Sequence, residues 1–199
     1  MKKYDDTEIR KVNAELEEKF SKERDQWQEW ITELLDMIKH DSQLMQEITT
    51  PDMTDAEKLK AIFDYVQQHV KYANGSNHNY TDWRKAAYDG ISSGKGDCYN
   101  IYSVTRALLD QTDISYLSVE RVKASPWRTR HFWVHVNIGT GWYVFDPTWT
   151  PKHRFNCFMW TAAQCNRCRN YWKYDESKYP PLATELFDYD AVVAAQKKP

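Results

Sequence analysis

The spacing of apolar residues predicts that the first third of the chain is helical. The apolar positions recur at three- and four-residue steps, which places them on one face of a helix. They are Ile9, Val12, Leu16, Phe20, Trp27, Trp30, Ile31, Leu34, Leu35 and Ile38. Residues of mixed charge occupy the other faces, as is typical of a solvated surface. We expect the helical segment to end before Pro51, because the residue preceding a proline disfavours helix.

Local signals predict further helices before residue 110. Residues 54–57 form a capping-box pattern ahead of an apolar stripe that runs to Val70. A short helix is expected from residue 82 to about residue 88. Another is expected from Asp97 onwards, because apolar side chains again recur at helical steps.

The pattern changes after residue 114, where three segments rich in Val, Ile, Tyr and Trp predict β-strands. These segments are residues 115–124, 130–138 and 142–145, and residues 139–141 (Gly-Thr-Gly) predict a tight hairpin between the last two. Helices followed by an antiparallel run indicate the α+β class. We interpret residues 1–50 as a helical extension packed on the core and residues 51–199 as the main domain.

Composition narrows the classes of function. The chain has 199 residues, with 27 basic and 29 acidic side chains and a formal net charge of −2. Without a basic excess, binding to nucleic acid or to an anionic membrane is not expected. A mean hydropathy of −0.82 also argues against a membrane protein. The charged first residues indicate no signal peptide, as in a cytoplasmic protein or a secreted one lacking its leader. The oligomeric state stays open.

Cys98 is the strongest candidate for a nucleophile. It follows the segment 94–97 (Gly-Lys-Gly-Asp) and stands at the start of a predicted helix. The positive helix end and its free backbone N–H groups would stabilise a thiolate there. The same N–H groups could bind the oxyanion that forms when sulfur attacks an amide carbonyl.

His131 and Asp146 are the candidate base and its orienting carboxylate. With a turn at residues 139–141, paired residues have numbers that sum to about 279, so Asp146 lies close to His131 across the hairpin. A carboxylate beside an imidazole holds its tautomer and leaves the other ring nitrogen for the thiol. His135 lies on the same strand face and is the rival base. We interpret His135 as a strand histidine with its hydrogen bonds satisfied, or as a cleft residue.

These residues resemble three motifs of the transglutaminase-like superfamily. The motifs are Gly96-Asp97-Cys98, then His131-Phe132-Trp133, then Asp146-Pro147-Thr148-Trp149. The resemblance covers about residues 55–180 and includes Tyr171 and Trp172. It implies a papain-like arrangement in a bacterial-type, single-domain member, with the Cys98 helix packed against the antiparallel sheet. Phe132, Asn100 and Asp113 depart from the usual pattern, and none of them belongs to the proposed triad.

The resemblance implies a cysteine-dependent acyl-transfer enzyme acting on peptide or glutamine-type amides of a peptide or protein substrate. Water as acceptor makes it a cysteine peptidase or amidase, and an amine makes it a cross-linking transglutaminase. We prefer hydrolysis because no amine site is identifiable. A non-catalytic module that binds a peptide or a cell-wall component is the alternative from another class. No cofactor and no metal are expected.

Aromatic side chains are unusually abundant, with 9 Trp, 13 Tyr and 7 Phe. We expect some of them to line the substrate cleft. The candidates for the cleft or for a second oxyanion donor, besides His135, are Tyr72, Tyr80, Trp83, Trp133 and Trp149. For Tyr72, Tyr80 and Trp83, packing is the simpler interpretation.

The other three cysteines form a separate group. Cys165 and Cys168 have the local spacing of a zinc knuckle, and Cys157 and His153 precede them. A zinc site usually combines two such knuckles, and a second one is missing here. Free thiols are the preferred interpretation, ahead of a disulfide and of a structural metal.

Overall fold

A computed structural model describes residues 6–74, 80–122, 130–150, 154–168 and 171–197. The chain divides into two compact units, one ending at His40 and the other beginning at Asp41. Helix α1, Asp6–Ile48, crosses this division. It ends three residues before Pro51, as the predicted break requires.

The first unit consists of the helical turns of α1 that precede Asp41. Trp27 and Trp30 are three residues apart and form an edge contact with ring centroids 5.8 Å apart. Lys22 and Glu18 form an ion pair at 2.7 Å with i,i+4 spacing. These contacts are the local ones that helical geometry brings together.

Helix α2, Asp55–His69, opens the main part of the second unit. Thr54 accepts from the backbone N–H of Glu57, and the Glu57 side chain accepts in return from the Thr54 backbone, which completes the predicted capping box. The apolar stripe of α2 is buried. Its core residues are Leu59, Ile62, Phe63 and Val66.

Helix α3, Trp83–Ser93, ends about five residues later than predicted. The glycine at position 90 does not end it, because α3 lies against the following helix there. A Cβ atom on Gly90 would stand 3.0 Å from a methyl group of Val104. The helix ends instead at Gly94, which has a left-handed conformation with φ 64°.

Two short parallel strands bring the segment before the next helix alongside the end of α2. Strand β1, Lys71–Tyr72, pairs with β2, Lys95–Gly96. Helix α4, Cys98–Leu109, starts two residues after this pair. The β1–β2 pair therefore anchors the N-terminus of α4.

The main sheet has four antiparallel strands in the order β3-β4-β5-β6. The strands are β3 Ser115–Glu120, β4 Phe132–Asn137, β5 Tyr143–Asp146 and β6 Cys157–Trp160. Val134 pairs with Phe145, which is the register that the hairpin at 139–141 predicted. Residues 123 and 124 of the first predicted strand lie outside the described residues.

The elements after residue 150 were not predicted. Besides β6 they are α5 Ala162–Asn166, a short 3₁₀ helix Glu176–Lys178 and α6 Tyr189–Gln196.

The two faces of the sheet bury different clusters. Phe132, Val134 and Phe145 belong to the larger core with α2 and α4, which we call the helix-side core. Trp133 and Val144 belong to a second cluster with Trp172 and three cysteines, which we call the aromatic-side core. The α+β class and the packing of α4 against the sheet are confirmed. Over the residues described, no helix combines the length and the apolar character needed to cross a membrane.

Candidate active site

Cys98 is the first residue of α4, and its neighbours cap that helix. The Asp97 carboxylate accepts from the backbone N–H of Tyr99 at 2.8 Å and from that of Asn100 at 3.4 Å. The Asn100 side chain accepts from the Asp97 backbone at 3.1 Å and donates to the Ala86 carbonyl at 2.9 Å. The helix start is therefore a closed hydrogen-bonded unit that ties α4 to α3.

Gly96 is required by this close packing. A Cβ atom at position 96 would lie 2.4 Å from three side-chain atoms of Asn100. The Asn100 side chain is buried and bonded on both sides, so it cannot move away cheaply. Asn100, noted as a departure from the family pattern, thus holds the loop that precedes the thiol.

The surroundings of Cys98 favour a neutral thiol at rest. The residue keeps partial access to solvent. Burial of the sulfur, followed by the negative charges of Asp97 and Asp146, raises the pKa of Cys98 to about 12. We expected the helix N-terminus to lower it. Asp97 itself accepts from two of the N–H groups at that terminus and adds a negative charge beside the sulfur, which offsets the helix dipole.

His131 lies immediately before β4 and is almost fully buried. Its Nε2 atom is 2.8 Å from Oδ2 of Asp146, the last residue of β5. The two side chains are 3% and 1% exposed, so the contact is shielded from water. The predicted proximity across the hairpin is present.

Asp146 is held by three donors. Besides His131, the Trp172 indole Nε1 donates to Oδ2 at 2.7 Å, and the Thr148 backbone N–H donates to Oδ1 at 3.0 Å. Burial opposes ionisation, but the interaction with His131 and these hydrogen bonds outweigh it and lower the pKa of Asp146. Asp146 is therefore an ionised acceptor at neutral pH, and Nε2 of His131 carries the shared proton.

The thiol lies beside the backbone that carries His131. Cys98 Sγ is 3.6 Å from the carbonyl oxygen of Arg130, and the backbone N–H of Phe132 also contacts the sulfur. The His131 carbonyl accepts from the Arg121 backbone N–H at 2.9 Å. The residues on both sides of His131 therefore contact the Cys98 sulfur.

Tyr171 and Arg121 complete the surroundings. The Tyr171 ring meets His131 edge-on, with centroids 4.7 Å apart. Burial, and then the charges of Asp146 and Cys98, raise the pKa of Tyr171, so its hydroxyl stays protonated. The Arg121 guanidinium lies 5.4 Å from the Tyr171 ring centre, and its positive charge lowers the pKa of Cys98.

Of the predicted cleft residues, Tyr72 and Tyr80 interact electrostatically with Cys98. Burial is the main cause that raises the pKa of each phenol, and the interaction with Cys98 also raises both. Tyr72 pairs with Gly96 in the short parallel ladder. Tyr80 is 39% exposed and stacks on Phe132 with centroids 5.6 Å apart.

The three predicted tryptophans occupy different places. Trp133 is buried and lies beside His131, with ring centroids 5.6 Å apart. Trp149 is 42% exposed, and the Arg154 guanidinium lies 5.8 Å from its ring. Trp83 begins α3 and lies beneath the guanidinium of Arg106, 3.9 Å from its ring centre.

His135 is fully buried in the interior of the aromatic-side core. Its ring meets Tyr174 and Tyr179 edge-on, with centroids 4.9 and 5.6 Å away. Neither ring nitrogen has a hydrogen-bond partner among the residues described. Burial lowers its pKa to about 4, so the ring is neutral and is not aligned by a carboxylate.

Trp172 and Tyr171 are the site residues that sequence reasoning missed, since they entered only as part of a resemblance. A run of aromatic residues carries no spacing that points to Asp146, 26 residues earlier. The one sequence signal for these two residues was the unusual abundance of aromatic side chains.

The four cysteines are free thiols. Within the described ranges, no three His, Cys, Asp or Glu side chains are grouped as metal ligands would be. His153 lies outside the described residues.

The family model described as "Transglutaminase-like superfamily" matches residues 42–147, which is more than half of the chain. The chain belongs to the transglutaminase-like superfamily. The match contains Cys98, His131 and Asp146, so the family recognised from the sequence is confirmed.

Two solved structures are similar to this superfamily member. One is a candidate cysteine protease from Cytophaga hutchinsonii, at 22% identity and a TM-score of 0.45, covering 56% of this chain and 37% of that one. The other is described as a TGase, at 16% identity and a TM-score of 0.42, covering 61% and 33%. The chain therefore spans about a third of their lengths. No curated protein matches it.

Proposed function

We propose that this protein is a cysteine-dependent acyl-transfer enzyme that acts on peptide or glutamine-type amides and uses water as the acceptor. The observation that carries the proposal is the buried 2.8 Å hydrogen bond between His131 and Asp146, beside a thiol at a helix start. A binding module of the same fold has no need of an imidazole aligned by an ionised carboxylate.

The roles follow from the protonation states. Since Asp146 accepts the proton on Nε2, Nδ1 of His131 has the free lone pair and acts as the base. The Cys98 thiol is neutral at rest, so proton transfer from sulfur to Nδ1 accompanies attack on the carbonyl carbon.

The first half-reaction forms a thioester. The new carbon–sulfur bond gives an oxyanion, and the backbone N–H of Cys98 is our candidate donor to it. The intermediate then collapses, the carbon–nitrogen bond breaks, and the amine leaves with the proton from His131. Cys98 is left acylated.

The second half-reaction returns the enzyme to its starting state. Water gives a proton to His131 and attacks the thioester, and the acid leaves as Cys98 recovers its proton. An amine in the place of water would give a cross-link by the same steps, so the acceptor is what the test must identify.

The test is proteome-wide profiling of the wild type against Cys98→Ala. New peptide termini that depend on Cys98 support hydrolysis, and new isopeptide bonds would replace it with amine transfer. If neither appears and p-nitrophenyl acetate gives no burst release that depends on Cys98, the catalytic proposal is wrong. Cys168→Ala is the matched control, because it removes a partly exposed thiol elsewhere.

A further inference from the structure

Three of the four cysteines take no part in the proposed reaction and lie together. Cys157 in β6, Cys165 in α5 and Cys168 just after α5 all belong to the aromatic-side core. Cys157 is fully buried, Cys165 is 7% exposed, and Cys168 keeps partial access to solvent. The three thiols therefore run from the interior to the surface.

Contacts join the members of this series. Cys157 and Cys165 are buried in the same cluster, and their side chains are close enough to interact directly. The Cys168 backbone N–H donates to the Cys165 carbonyl at 3.0 Å, which turns the chain so that the two residues neighbour each other. Two residues separate them in sequence, as in the Cys-x-x-Cys motif of dithiol redox sites.

We propose that these three cysteines form a thiol relay that ends in a Cys157–Cys165 disulfide. The oxidant is a low-molecular-weight disulfide, which enters at the partly exposed Cys168. The relay is a modification site separate from Cys98, and it does not depend on the proposed function.

Each step is an exchange between a thiolate and a disulfide. Cys168 loses its proton to solvent and attacks the oxidant, whose sulfur–sulfur bond breaks and releases one thiolate. Cys165 then loses its proton to solvent, attacks the Cys168 sulfur, expels the second thiolate of the oxidant and forms a Cys165–Cys168 bond. Cys157 attacks the Cys165 sulfur, and its proton passes to the departing Cys168 sulfur, so that Cys168 is a thiol again. Both released thiolates take up a proton, so two electrons have passed to the oxidant.

The position of Cys157 in the sheet would place the disulfide close to Asp146. Cys157 is paired with Asp146 in the β5–β6 ladder. The disulfide would join α5 to β6, the strand that pairs with β5 and its Asp146 carboxylate.

The experiment uses the full chain carrying Cys98→Ser, folded and fully reduced, with glutathione disulfide as the probe. Peptide mapping under non-reducing conditions should find a Cys157–Cys165 disulfide and no adduct. A persistent glutathione adduct on Cys168, or thiols that react only after unfolding, would overturn the relay. A bond that includes Cys168 at the end of the reaction would overturn the proposed final state.

Three variants separate the steps. Cys168→Ser should slow disulfide formation on the order of tenfold or more and yield the same bond; an unchanged rate would contradict entry at Cys168. Cys165→Ser should stop at the Cys168 adduct, and Cys157→Ala at a Cys165–Cys168 bond. A Cys157–Cys168 disulfide in the Cys165→Ser variant, or a Cys157→Ala variant that forms no Cys165–Cys168 bond, would contradict the order of steps. Thiol titration of the chain that keeps Cys157, Cys165 and Cys168 should show that two thiols are lost. This measurement does not depend on whether the three variants fold.

Discussion

The two faces of the four-stranded sheet bury different kinds of side chain, although adjacent residues supply them. On the helix-side core the strands contribute Val134, Val136 and Phe145. On the opposite face lie His131 and Asp146, hydrogen-bonded to each other. Side chains alternate between the two faces of a strand. One residue can therefore pack in the apolar core while the next residue lies in the candidate site on the opposite face.

Burial has a different effect on each face of the sheet. On the helix-side core it removes apolar surface from water, which stabilises the fold. On the aromatic-side core it excludes water from the buried Asp146 carboxylate and makes each hydrogen bond to it stronger. Substitutions on the first face should therefore affect stability, and those around Asp146 should affect reactivity.

The largest expected effect separates two histidines of the same face. His131→Ala should lower the acylation rate of Cys98 about 10³-fold or more, because the base is lost. His135→Ala should keep most of that rate, since the His135 ring has neither a proton acceptor nor a charge. Burst release from p-nitrophenyl acetate, measured per folded molecule, gives both rates. Equal losses, or a larger loss for His135, would reassign the base.

A substitution in the helix-side core should lower the stability of the fold and leave the acylation rate nearly unchanged. Phe145 packs edge-on against Phe63, with centroids 5.3 Å apart. Phe145→Ala should lower the free energy of unfolding by about 3–5 kcal/mol through the cavity it leaves. Acylation per folded molecule should stay near the wild-type rate. Urea denaturation checks this, with Leu186→Ala, at a side chain 70% exposed, as the control.

Acid should destabilise the folded protein because His135 is buried in its neutral form. Its pKa of about 4 lies below the usual 6.5, so the unfolded chain takes up a proton that the folded chain refuses as pH falls between these values. Stability should therefore fall by about 3 kcal/mol over that window. His135→Phe should remove this part of the pH dependence. Denaturation curves at several pH values test it, and an unchanged slope in the variant would refute it.

Trp172 should affect the reactivity of the proposed triad more than the stability of the fold. Trp172→Phe keeps a ring but removes one hydrogen bond to a buried carboxylate, which we expect to lower the acylation rate about tenfold. The pKa of Asp146 should rise, so the acid limb of the rate profile should move to higher pH. Trp160→Phe is the control, since that indole contacts the Trp172 ring at 5.3 Å. Identical profiles for both variants would show that Trp172 only packs.

The smallest expected effect concerns the charge beside the nucleophile. Asp97→Asn keeps an acceptor for the helix N–H groups and removes the negative charge that raises the pKa of Cys98. Iodoacetamide should then label Cys98 a few-fold faster at mildly alkaline pH, roughly as expected for a modest fall in pKa. Asp188→Asn, at the N-cap of α6, should have no effect on the labelling. A slower reaction of the Asp97 variant would contradict our account of the thiol.

The part of the fold that sequence could not predict lies after residue 150. Strand β6 is short and irregular, because Met159 has a positive φ of 55°. Phe158 and Met159 both face the helix-side core, whereas Cys157 and Trp160 face the aromatic side. The alternation that identifies a strand in sequence is therefore absent.

Local spacing by itself determined the pairing of His131 with Asp146, since a hairpin at residues 139–141 brings these positions together in one register only. It also determined that Cys98 starts a helix. Only the tertiary structure decided the ionisation of that thiol and the third donor to Asp146. Burial, the nearby charge of Asp146 and the indole of Trp172 come from segments that meet through packing, and no short-range pattern records such contacts.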